Sequence, residues 1–116
     1  MNRNKQKGTR FESDIVGWLQ WRFGTRDIER RALNGARDTG DIAGLKAHGQ
    51  RLVIEAKNHS RHEIARWVDE AEVERGNDDA LAAAVVFKRR GTTDPAHQYV
   101  VMTVRDLAAL IDGDRK

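Results

Sequence analysis

Cysteine is absent from all 116 residues. Without thiols the chain can carry neither a disulfide framework nor a thiolate zinc site, and its composition suits a reducing compartment. Proline occurs once, at Pro95, and neither internal repeats nor low-complexity segments interrupt the sequence. No apolar run approaches membrane-spanning length, and the stretch Met1-Asn2-Arg3-Asn4-Lys5-Gln6-Lys7 lacks the apolar segment of a secretory signal. The expectation is an intracellular, cytoplasmic protein with no membrane partner. Its length suits one domain, 1–116, able to bury a core without staples, with residues 1–6 as a flexible basic arm.

What the sequence has in quantity is charge: 34% of residues, with a formal balance of +3. That tilts toward an anionic partner, although an ordinary solvated surface explains the figure equally well. From about Lys7 to Phe23 apolar residues recur at helical spacing, and Phe11, Ile15, Val16, Trp18, Leu19 and Phe23 share one stripe. Trp21 falls off that stripe, on the exposed side. Glu12 falls inside it, where an unpaired carboxylate is costly, so a positive group is expected to meet it. The competing reading is that Thr9-Arg10-Phe11-Glu12 is a capping box at the helix start.

Asp27 to Leu33 reads as a strand, 34–40 as a turn-rich loop, and Asp41 to Leu45 as a second short strand. Lys46 to Gln50 forms a hairpin turn into Arg51-Leu52-Val53-Ile54-Glu55-Ala56-Lys57. Alternation along this third strand puts Leu52, Ile54 and Ala56 on a core face and Val53, Glu55 and Lys57 on the other. Asp41 and Glu55 then sit on adjacent antiparallel strands, where like charges repel unless a cation lies between them. Ser60-Arg61-His62-Glu63 is a second capping-box pattern, opening a helix that buries Ile64, Trp67, Val68 and Ala71 and closes at Gly76 to Asp79. Ala82 to Phe87 is a continuous apolar run suited to a central strand after a helical crossover, so the sheet is mixed. A basic loop, Lys88 to Pro95, leads to a strand over Gln98 to Met102. Thr103 to Asp106 then caps a last helix expected to pack Val104, Leu107, Ala108 and Ile111 inward. His48, His59, His62 and His97 lack the company of a zinc site and read as solvated.

A helix bearing Glu12, then Asp41, thirteen intervening residues and Glu55-Ala56-Lys57 on a strand, followed by helix and strand, resembles the PD-(D/E)xK nuclease superfamily. Within it the likeness is to archaeal-type Holliday junction resolvases, and it spans roughly Lys5 to Met102. One departure is Gly40, where the family often has proline. Another is the loop before the aspartate, where the family tends to carry a serine or basic residue and this chain has Asn34 and Arg37. The resemblance implies an α/β, restriction-endonuclease-like core: a central mixed β-sheet of about five strands flanked by helices in αβββαββα order.

It also implies phosphodiester hydrolysis with magnesium, at catalytic residues Glu12, Asp41, Glu55 and Lys57. Hard carboxylate oxygens from Asp41 and Glu55, with the Ala56 carbonyl and Glu12 directly or through a water, suit Mg²⁺, with Mn²⁺ as a substitute, better than zinc. Lys57, among carboxylates, suits orienting water or stabilising pentavalent charge rather than acting as a base. Lys5, Lys7, Arg10, Arg30, Arg31, Asn34, Arg37, Lys88, Arg89 and Arg90 are the candidate DNA contacts. The expected partner is branched or four-way-junction DNA, cut in paired nicks by a homodimer, as the family is dimeric. The alternatives are a flap, nicking or restriction-like endonuclease of the same fold, and a non-catalytic DNA-binding accessory module.

Overall fold

The computed structural model of the chain describes residues 3–31 and 41–116, without the side chains of residues 4 and 5. The first helix, α1, runs Arg3–Phe23. Residues 3–6, expected as a flexible arm, are therefore helical, and the Thr9 to Glu12 box lies mid-helix rather than at its start. Lys, Gln and Arg are good helix formers, so a helix nucleated by its packed stripe continues back through this polar stretch. Phe11, Ile15 and Val16 are buried and Leu19 packs against them. The stripe stops a turn early, because Phe23 is 57% exposed under the Arg22 guanidinium.

Beyond α1 come β1 (Glu29–Arg30), β2 (Ile42–Ala43), β3 (Lys46–Ala47), β4 (Gln50–Lys57), α2 (Ile64–Asp78), β5 (Ala82–Phe87), β6 (Tyr99–Val101) and α3 (Val104–Asp112). The sheet has the order β1-β2-β4-β5-β6, with β3 pairing β4 off that path. β4 and β5 are parallel and the other pairs antiparallel, so the architecture is α/β, with a mixed six-stranded sheet and three α-helices among the described residues. The sixth strand comes from the expected hairpin turn, where Lys46 and Ala47 pair with Arg51 and Gln50 and narrow the turn to His48-Gly49, while the expected strand from Asp41 to Leu45 is cut short at Gly44. There φ is +90° and a Cβ would lie 2.0 Å from the Asp27 carbonyl oxygen, a combination only glycine satisfies.

Both faces of the central strands are covered. Ile42, Ile54, Ala84 and Val86 pack with α1 on one face; Val53, Ala83 and Val85 pack with Trp67 and Ala71 of α2 on the other. The Val53 face of β4 is thus core as well, and Glu55 is embedded in it rather than displayed. α2 begins only at Ile64, and Glu63 caps it without a side-chain hydrogen bond, so the Ser60 to Glu63 box is not formed. Asp79 ends it in the left-handed conformation.

α3 is capped as expected, with Thr103 Oγ1 accepting from the Asp106 amide at 3.1 Å, but it presents the opposite face. Asp106 and Ala109 are buried, while Val104 is 83%, Leu107 45% and Ile111 70% exposed. The cause is polar: Asp106 accepts from the Ala83 amide at 3.1 Å and pairs with Arg115, which turns the apolar stripe outward. Among the described residues no helix is long and apolar enough to cross a membrane.

Candidate functional site

The site is set by how β2 meets β4. Ile42 pairs with Ile54, but Asp41 breaks the ladder: its amide donates to the Ile54 carbonyl on β4 at 3.0 Å, while its own carbonyl accepts from the Arg31 amide on the β1 side at 2.8 Å. N–H and C=O of one residue pointing to opposite neighbours is the signature of a bulge, a device that re-aims a side chain. Here it frees the Asp41 carboxylate to take over the ladder's next position, where Oδ2 accepts from the Ala56 amide at 2.9 Å. The aspartate is thereby fastened to the peptide that joins Glu55 to Ala56. Because N–H and C=O of a regular strand residue share a direction, the Ala56 carbonyl faces the same gap.

Glu55 is 4% exposed, and its Oε1 has no hydrogen-bond partner. A buried carboxylate oxygen without a donor is expensive, and such an atom calls for a cation or a role. Lys57, two residues along the same face, lies 3.5 Å from Glu70 of α2. Glu12 approaches from the other side of the sheet, on α1, and the positive group expected to meet it is Arg30, whose Nε donates to Oε2 at 3.0 Å. Burial raises the Glu12 pKa; the Arg30 hydrogen bond opposes this, and the nearby negative charge of Asp41 adds to it. Glu12 and Asp41 therefore sense each other. Among the described residues, however, no three His, Asp or Glu side chains form a group able to hold a metal ion. Glu12 and Asp41 are thus neighbours, and Asp41 is tied to the backbone between Glu55 and Ala56, but the three carboxylates do not form one tight triad.

The expected nucleic-acid contacts divide into three groups. Lys7, Arg10 and Lys88 line a depression of about 470 Å³ with Asn58 and one acid, Asp14, and Lys7, Lys88, Arg89 and Arg90 line an adjoining one of about 320 Å³ with His59 and His62. Both lie beyond the carboxyl ends of β4 and β5, where open α/β sheets take their ligands. Lys88 is partly committed, donating to the carbonyls of Arg89 and Thr92, and Arg89 stacks over Tyr99 with its guanidinium 5.2 Å from the ring centroid. Arg30 is engaged by Glu12, and half-buried Arg31 serves Asp41 through its backbone. Asn34, Arg37 and the side chain of Lys5 lie outside what the structure describes.

Sequence reasoning missed Glu70, the partner of Lys57, and the His59 and His62 rings, which are exposed but lie against Trp67 at 5.8 and 5.9 Å between centroids. The one available signal was position, since residues 58–62 directly follow the carboxyl end of the Glu-x-Lys strand. Comparison with protein-family models, with curated proteins and with solved structures finds no match for this chain.

Proposed function

We propose that this chain is a divalent-metal-dependent endonuclease with a restriction-endonuclease-like core, hydrolysing phosphodiester bonds in branched DNA and acting on four-way junctions as a homodimer that makes paired nicks. The observation that carries the reading is the bond from the Ala56 amide to Asp41 Oδ2, which sets the aspartate against the Glu55-Ala56-Lys57 segment, whose Glu55 has a buried carboxylate oxygen with no donor of its own. Asp41, Glu55 and the Ala56 carbonyl offer the hard oxygen set that would hold Mg²⁺, or Mn²⁺ in its place, and the ion supplies polarisation of a phosphate oxygen and acidification of water. The chain's own residues do the rest. Asp41 and Glu55 orient the attacking water, Lys57 stabilises the charge of the pentavalent phosphorus, and Glu12 positions Asp41 from α1. The basic depressions beyond β4 and β5 take the flanking backbone phosphates, so binding falls steeply with salt and reads shape rather than bases.

The test is a panel of junction, flap, nicked and linear duplexes incubated with and without Mg²⁺. Symmetric paired nicks on the junction support resolution, and cleavage of flaps alone redirects the reading to another nuclease of the same fold. Failure of every substrate to be cut, with junction binding intact, would leave the second reading: a DNA-binding accessory module. That reading draws on the engagement of Glu12 by Arg30 and of Lys57 by Glu70, which gives both residues a structural occupation.

A further inference from the structure

α3 carries apolar side chains on its solvent side. Val104, Leu107, Ala108 and Ile111 are all exposed, opposite the buried Asp106 and Ala109. Exposed branched side chains gathered on one helix face lose free energy to water and are recovered only by a partner. On the flank of this stripe, half-buried Leu110 opens into an apolar cavity of about 260 Å³ that also reaches Trp18, Val100 and Met102, and Val100 is itself exposed. The apolar surface therefore extends past the helix. This matters because nine residues of helix alone fall short of the roughly 800 Å² per partner that a stable interface buries.

The charges beside the stripe identify the occupant. Arg105 and Asp112 are both exposed and stand seven residues, two helical turns, apart on one side of it. When two copies of a helix pair antiparallel about a two-fold axis, residue i of one copy meets residue j of the other, and j meets i. An axis passing between Ala108 and Ala109 sets Arg105 of each copy against Asp112 of its mate. The same axis puts the small Ala108 side chain near the crossing, where it lets the backbones approach. One self-complementary register thus satisfies the stripe and both charges.

We infer that α3 is the contact face of a homodimer, paired antiparallel with α3 of a second copy through Val104, Leu107, Ala108 and Ile111 and registered by reciprocal Arg105–Asp112 ion pairs. α3 packs against the amino ends of β4 and β5, through Leu52 and Ala82, so this pairing leaves the region around Asp41 and Glu55 uncovered. The inference rests on the homodimer of the proposed function and names its contact face; a dimer that survives substitution of this face sinks the face alone, whereas a monomeric wild type sinks the paired nicks as well, and metal-dependent hydrolysis is tested separately by the substrate panel.

The experiment is sedimentation velocity on the full chain and its variants at micromolar concentration, with far-UV circular dichroism to show that each variant is folded. The wild type sediments as a dimer, and the double variant Leu107→Asp, Ile111→Asp as a folded monomer. Arg105→Glu and Asp112→Arg each weaken the dimer about tenfold, the pair being counted twice by symmetry, and the Arg105→Glu, Asp112→Arg double variant returns to within about threefold of wild type. A monomeric wild type overturns the inference. So does a dimer indifferent to Leu107→Asp, Ile111→Asp, or a charge-swapped chain no tighter than either single reversal.

Discussion

The molecule buries an acidic side chain at each end of its parallel strand pair, and the two are treated in opposite ways. At the amino end, Asp106 has no solvent exposure and is saturated: it accepts from the Ala83 amide and pairs with Arg115, which also donates to the Leu81 carbonyl at 3.0 Å and lies 3.4 Å from Glu72. At the carboxyl end, Glu55 is nearly as deep, yet one of its oxygens has no donor. A fold able to supply an arginine, a backbone amide and a neighbouring carboxyl to one buried acid has the means to do so for the other. Leaving Glu55 open keeps an acceptor in reserve at the end of the sheet where the basic depressions lie. On the proposed function, Asp106 is an acid closed off by the chain and Glu55 one left for a cation, although Glu72 beside Asp106 also keeps one oxygen without a donor.

Paired substitutions test that contrast most sharply. Glu55→Gln and Asp41→Asn should each lower cleavage of the best substrate by at least about 10² to 10³-fold, measured as initial rates in Mg²⁺, while junction binding and salt dependence persist. Glu55→Gln should change unfolding free energy by no more than about 1 kcal/mol, since it removes a buried charge one of whose oxygens has no protein donor. Asp106→Asn should do the reverse. It leaves half-buried Arg115 with only Glu72 and the Leu81 carbonyl, a loss of about 3 kcal/mol or more in denaturant unfolding, with cleavage per folded molecule unchanged. If both ends lose stability alike, the distinction between closed and open acids is wrong.

A smaller effect is expected from Arg115→Met, which removes the cation but keeps much of the apolar stem. Asp106 retains the Ala83 amide, so the loss should be about 2–3 kcal/mol, less than for Asp106→Asn, and visible as a lower urea midpoint. A loss larger than that of Asp106→Asn would show that Arg115 is stabilised chiefly by Glu72 and the Leu81 carbonyl, and that the network is not centred on Asp106.

The sequence exposed these two regions unequally, for physical reasons. β5 was readable because an uninterrupted apolar run of six has few destinations other than a strand covered on both faces. Asp41 and the Glu55-Ala56-Lys57 segment were readable as a candidate site because charged residues next to such strands must be accounted for, and Glu12 was readable as needing a cation. That the cation was Arg30 was not readable, since Arg30 lies eighteen residues away and looks like any other surface arginine. The bulge at Asp41 was also hidden, because it depends on which neighbour each backbone group finds. The orientation of α3 was misread for the strongest reason of all. Helical periodicity points grease inward, but Asp106 is anchored by Ala83 and by Arg115, contacts across 23 and 9 residues that no local pattern reports.

The mildest test concerns protons. Glu72 and Asp106 both lie against Arg115: burial and the nearness of Asp106 raise the Glu72 pKa from its ordinary value, while that of Asp106 is lowered, its burial outweighed by its interactions with Glu72, Arg115 and the Ala83 amide. The two signs act on stability oppositely. Asp106 contributes above the ordinary aspartate range, and its contribution is lost as pH falls through its lowered folded value. Glu72 contributes below the ordinary glutamate range, and its contribution is lost as pH rises through its raised one. As pH rises from the ordinary glutamate range toward neutrality, the wild type should therefore lose stability. Glu72→Gln, which cannot lose a proton, should be flat across that interval while keeping the acid-side loss that belongs to Asp106. Melting temperatures measured across this range decide it: parallel curves for the two chains would mean that the proton is not shared at the closed end of the sheet, and that Asp106 is held by Arg115 and Ala83 alone.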